Sequence, residues 1–185
     1  FYSERMKQKR FNLSEEELRP YFPAPQVLHG LFEVASRLYS IKIVERKDVE
    51  KYHADVQFFD IFNADGALRG SFYVDLYARA KKRGGAWMDD CVGRMQFGHT
   101  SYLPVAYLVC NFMPPTAEGQ PALLTHSEVV TMFHEFGHGL HHMLTRVDYP
   151  SVAGINGVPW DAVELPSQFM ENFAWQPELL PLISK

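Results

Sequence analysis

One stretch constrains this chain more than any other: Met132-Phe133-His134-Glu135-Phe136-Gly137-His138-Gly139-Leu140. It lies in a run whose apolar residues (Val129, Val130, Met132, Phe133, Phe136, Leu140, Met143, Leu144) recur with helical period. Within it stands H-E-x-x-H. Residues four apart share one face of a helix, so His134 and His138 point the same way and can share one Zn²⁺. Glu135 follows the first histidine and projects beside the metal, where it can take a proton from water without being a ligand. Gly137 and Gly139 weaken a helix interior by about 1 kcal/mol each relative to Ala. Their presence implies that a crossing helix or a ligand comes close to the backbone there.

A catalytic zinc takes three protein ligands and keeps an open position. The third ligand is not His141 or His142. His142 lies roughly on the face of His134 but more than about 10 Å further along the axis. Both are read as helix-end residues near the negative end of the dipole. A following helix, opened by Pro159 and running to about Trp175, offers Asp161, Glu164 and Glu171. Glu164 and Glu171 are seven apart and share a face, so one could bind metal while the other hydrogen-bonds a ligand imidazole. Spacing does not choose between Glu164 and Asp161.

The rest of the chain surrounds this unit with mixed structure. Residues 1–10 are polar and compatible with a helix. Ser14 and Glu17 have capping-box spacing before a short turn of helix. From Gln26 to Tyr39, Val27, Leu28, Leu31, Val34, Ala35 and Leu38 form one apolar helix face. Strands are expected from Ile41 to Lys47, Val56 to Phe62, Leu68 to Tyr77 and Pro104 to Phe112. Asn63-Ala64-Asp65-Gly66 makes a hairpin of the second and third. Strands followed by helices give an α+β domain.

The 185 residues are 46% hydrophobic, enough for one core. A net charge of −4 with no basic block gives no reason to expect nucleic acid or a membrane surface. Lys7, Lys9 and Arg10, and the run Lys81-Lys82-Arg83, are read as solvated faces. Cys91 and Cys110 lack metal-site spacing and are expected as buried thiols, which fits a reducing, cytoplasmic compartment. Both ends read as interior to a longer chain.

The stretch THSEVVTMFHEFGHGLHHMLT, followed by GVPWDAVELPSQFMENFAW, resembles the thimet oligopeptidase family of zinc metallopeptidases. GSFYVDLYARAKKRGGAWMDDCVGR and PVAYLVCNF strengthen the resemblance, which covers nearly the whole chain. It implies a mainly helical, zincin-like core with a small, largely antiparallel sheet beside the active-site helix. It also implies His134, His138 and Glu164 as zinc ligands, Glu135 as general base, and short peptides as substrates. Glu171, and less directly Glu128, are then candidates to hydrogen-bond a ligand imidazole. An exposed sheet edge could pair with a peptide backbone. The family's oxyanion-stabilising Tyr and His residues belong to a downstream stretch not found here. Residues 1–185 are therefore expected to be a partial catalytic domain, weakly active or inactive without the remaining parts of its parent polypeptide. The alternatives are a zinc-holding structural or peptide-binding module, or another zinc hydrolase such as an aminopeptidase.

Overall fold

The computed structural model describes residues 2–11 and 14–185. Helix α1 covers Tyr2–Phe11. The expected helix over 1–10 is present from Tyr2, and Phe1 lies outside the described residues. The Ser14 box forms: the Glu17 amide donates to Ser14 Oγ at 3.3 Å and the Ser14 amide to Glu17 Oε2 at 2.7 Å. It opens α2 (Glu15–Leu18). Helix α3 (Ala24–Tyr39) buries Val27, Leu28, Leu31, Val34 and Ala35, as the periodicity predicts. Leu38, on the same face but in the last turn, is 42% exposed.

A five-stranded sheet supports the site. Strands β1 (Ile41–Glu45), β2 (Gln57–Asn63) and β3 (Leu68–Tyr77) pair antiparallel in sequence. The hairpin between β2 and β3 turns at Gly66, whose φ of 82° suits glycine. Beyond them stand β4 (Trp87–Val92) and β7 (Val105–Phe112), in the order β1-β2-β3-β7-β4. The β3–β7 pair is parallel and the other three are antiparallel. The sheet is thus mixed as well as small. A separate hairpin joins β5 (Met95–Phe97) to β6 (Thr100–Tyr102).

Helix α4 (His126–Met143) lies on this sheet. Phe136 meets Phe72 of β3 at 5.5 Å between ring centroids and Phe32 of α3 at 5.6 Å, and Phe32 reaches Phe59 at 4.9 Å. Phe72, Phe133 and Phe136 are essentially fully buried, so the helix is held by aromatic packing rather than by its own propensity. Helix α5 (Leu165–Glu171) packs across α4, and α6 (Leu180–Ile183) packs on α3.

Four expectations need correction. The helix predicted from Pro159 begins only at Leu165, where Pro166 takes the first-turn position. Residues 160–164 are turns. Cys110 is buried but Cys91 is exposed, because it lies on β4 at the sheet edge; its Sγ stands 3.2 Å from the Tyr107 hydroxyl. Lys82 is not solvated: its Nζ is buried against Asp75 Oδ1 at 2.8 Å. Lys9 and Arg10 are exposed as expected, while the Lys7 side chain lies outside the described residues. His142 is a fully buried residue whose Nε2 donates to the Val92 carbonyl at 3.0 Å, which the helix-end reading did not anticipate.

Candidate metal centre

Helix α4 starts in a capping box. The Glu128 amide donates to Thr125 Oγ1 at 3.1 Å, and the Thr125 amide donates to Glu128 Oε2 at 2.7 Å. Arg19 Nη1 donates to the same Oε2 at 2.9 Å. Glu128 is therefore occupied at the helix start and makes no bond to an imidazole of the site. The T-x-x-E spacing, the same signal as at Ser14, marks this role in the sequence.

Two to three turns on, His134 and His138 converge. Their Nε2 atoms lie 3.2 and 3.1 Å from one atom, Glu164 Oε2. The three groups offer ligand atoms within 4.8 Å of one another, the one such group of three among the described residues. Asp161, His141 and His142 are not part of it. Glu164 occupies the N-cap position of α5 yet caps nothing with its side chain, which leaves the carboxylate for the histidines. Ser167, fully buried, donates to Glu164 Oε2 at 2.8 Å. That bond, opposed by partial burial and helped by the two histidines, holds the carboxyl below its ordinary pKa, so Glu164 is ionised.

Glu171, at the far end of α5, accepts from His134 Nδ1 at 2.6 Å. A proton fixed on Nδ1 leaves the Nε2 lone pair facing the shared point, as metal ligation requires. His138 is buried, which disfavours its charged form and lowers its pKa despite Glu164. A neutral imidazole is the ligating form. Its Nδ1 is buried with no partner among the described residues. Two imidazole nitrogens and one carboxylate oxygen make the His₂Glu set that suits a single catalytic Zn²⁺ with one open position.

Glu135 points from the same helix turn into a cleft of about 560 Å³ shared with both histidines. Burial is the main reason its carboxyl is pushed up to about 7. His134 lowers it, Glu164 raises it and the Met88 backbone lowers it again. A cation beside it would favour the charged form. Ala86, just before β4, and Trp87 and Met88 on the β4 edge form one wall of this cleft, and Ile155, Val158 and Trp160 another. Strand β4 carries no clear pattern: its residues run from half-buried to exposed, so there is no alternation to read. Ser167 could be found only by its place three residues after Glu164.

The glycines explain the approach of α5. A Cβ on Gly137 would stand 2.6 Å from the Pro166 carbonyl oxygen and 2.6 Å from Ser167 Cα. Backbone meets backbone there, and only glycine allows it.

The sequence profile of peptidase family M3 matches residues 1–185. The chain belongs to this family. The M3 membership agrees with the resemblance carried by HEFGH and ELPSQ. Among M3 relatives, the oligopeptidase A of Escherichia coli is 61% identical over 185 residues, all of this chain and 27% of the relative. The organellar oligopeptidase A of Arabidopsis thaliana is 47% identical over 191 residues, covering all of this chain and 24% of the relative. The dipeptidyl carboxypeptidase of Escherichia coli is 44% identical over 180 residues, 97% of this chain and 26% of the relative. The chain thus spans about a quarter of the length of these relatives. Among the described residues, no helix is long and apolar enough to cross a membrane.

Proposed function

We propose that this chain is the central part of the catalytic domain of a zinc-dependent endopeptidase acting on short peptides. One observation carries the reading: the Nε2 atoms of His134 and His138 meet Glu164 Oε2, with Glu135 beside them in an open cleft. His134, His138 and Glu164 would hold the metal. Bound there, zinc would supply Lewis acidity, acidifying a water and polarising the scissile carbonyl.

The protein's own groups do the rest. Glu135 takes the proton of the attacking water on its carboxylate and hands it to the leaving amine. Glu171 holds His134 in the ligating tautomer, and Ser167 holds Glu164 ionised and aimed. Among the described residues, none that lines the cleft is Ser, Thr or Cys, which favours direct attack by water over a covalent intermediate. The free edge of β4 along the cleft suits an extended peptide, which adds to a sheet edge through its backbone. The relatives' names, oligopeptidase among them, support the substrate class. Two free cysteines are compatible with a cytoplasmic location. The remaining parts of the parent polypeptide would complete the cleft and stabilise the oxyanion.

A structural zinc would take four protein ligands, whereas this group has three. The test is Glu135→Gln in the intact parent protein. Zinc content should stay at one per site, while peptide hydrolysis falls by about 10²–10⁴-fold, the usual worth of a general base. Hydrolysis at the wild-type rate would refute the assignment.

A further inference from the structure

Strand β4 reaches the cleft by an awkward route. Strands β3 and β4 both pair with β7, on opposite sides of it. The chain between them, residues 78–86, must therefore cross over the end of β7. A crossing segment leaves the ladder, and its carbonyls need donors from elsewhere. Asn111, next to last in β7, supplies two: its Nδ2 donates to the carbonyls of Arg83 and Gly85, each at 2.7 Å. Gly85 turns here with φ of 95°. The next three residues are Ala86, Trp87 and Met88, the cleft wall facing Glu135. Arg83 also places its guanidinium over the Trp87 ring, 5.1 Å from the centroid.

The neighbouring restraints are separate. Lys82 Nζ donates to Asp75 Oδ1 and to the Tyr77 carbonyl, each at 2.8 Å, and fixes the start of the crossing. His142 holds the far end of β4 through the Val92 carbonyl. Between these two anchors, Trp87 and Met88 are in register with Val109 and Leu108 of β7, and Asn111 is the side chain that ties the crossing ahead of them to β7.

We propose that Asn111 is a positioning residue for the cleft. Its amide sets where Ala86 stands and where the chain joins the β7 ladder at Trp87, and so how well a peptide seats along the β4 edge. This rests on the peptidase reading above. An asparagine suits this position, because an amide nitrogen offers two diverging donors, whereas an ionised Asp of the same shape offers none. The side chain is half-buried, so its replacement leaves the core intact.

The test compares Asn111→Ala and Asn111→Asp with wild type in the intact, zinc-loaded parent protein, using a short internally quenched peptide. We expect kcat/KM to fall by about 10–10²-fold, the cost of a small misplacement near a site, with most of the loss in KM. Asp should be at least as damaging as Ala. Amide hydrogen exchange should speed up over residues 84–88 and stay unchanged at the end of β4. Wild-type KM in both variants, or a lower melting temperature with KM unchanged, would overturn the proposal and leave Asn111 a structural residue. Exchange separates the two readings. If wild type shows no zinc-dependent hydrolysis, the peptidase reading fails, and unchanged exchange over 84–88 still sinks the clamp on its own.

Discussion

Gly137 of α4 lies against Ser167 of α5 so closely that a Cβ would stand 2.6 Å from the Ser167 Cα. This contact lets a residue just before α5 reach histidines on α4. Neither helix could shed it without moving Glu164.

Gly137→Ala is therefore expected to push α5 away and weaken the metal site. Overpacking of this kind costs about 1–3 kcal/mol. Gly139→Ala is the control. Its Cβ would meet the Leu108 Cδ2 at 2.9 Å and the Met143 Cε at 3.2 Å, both ends of side chains that can rotate. Helix propensity favours this change by about 1 kcal/mol, so it should be close to neutral. Denaturant midpoints and zinc competition against a chelator would separate the pair. Equal effects would mean that the α4–α5 contact does not govern the site.

The groups behind the ligands should tune metal affinity. Ser167→Ala removes the hydroxyl that bonds Glu164 Oε2, and Glu171→Ala removes the acceptor of His134 Nδ1. Each is expected to lower zinc affinity by about 10–100-fold. Glu171→Gln keeps a carbonyl acceptor and should be milder. Chelator competition reads all three, and unchanged affinity in the alanine variants would remove these residues from the site.

Zinc should also stabilise the fold, because unfolding separates His134 and His138 from Glu164. At a free zinc concentration a thousandfold above Kd the gain is about 4 kcal/mol, less any binding to the unfolded chain. The melting temperature should rise with zinc and return on addition of a chelator. A melting temperature indifferent to zinc would contradict a folded three-ligand site.

Acid should loosen the β3 end of the sheet. Burial alone would raise the Asp75 pKa, but the hydrogen bonds from Arg79 and Lys82 outweigh it, and the net shift is downward. The folded pKa lies below the unfolded value of about 3.9, so the stabilisation is complete above that pH and is lost as pH falls through the folded pKa. At neutral pH, Asp75→Ala leaves Lys82 buried without its carboxylate, a loss of about 3–5 kcal/mol for a broken buried pair. Denaturation between neutral and acid pH should show wild type losing more stability than the variant below about pH 4. Parallel curves would contradict the linkage.

Local patterns were legible where the physics is local. The Ser14–Glu17 box, the buried stripe of α3 and the Asn63–Gly66 hairpin all follow from neighbours in sequence. Strand β4 was not legible, since Asp89 and Asp90 sit on an edge with no buried face to impose alternation. The start of α5 was displaced from Pro159 to Leu165, because two prolines could each open the helix and packing on α4 selected the second. Lys82 read as surface because its partner, Asp75, stands in β3, and only the turn of the crossing segment brings the two together.

The sequence by itself determined that His134 and His138 share a face and that Glu135 stands beside them, since helical period places them regardless of context. It also marked Gly137 as a point of close approach. Which carboxylate completes the group was beyond spacing. Glu164 and Asp161 differ by three residues in a segment of turns, and such a segment has no period from which a direction can be read. The tertiary structure decided it: α5 crosses α4 at Gly137, and that contact brings Glu164 Oε2 to both imidazoles.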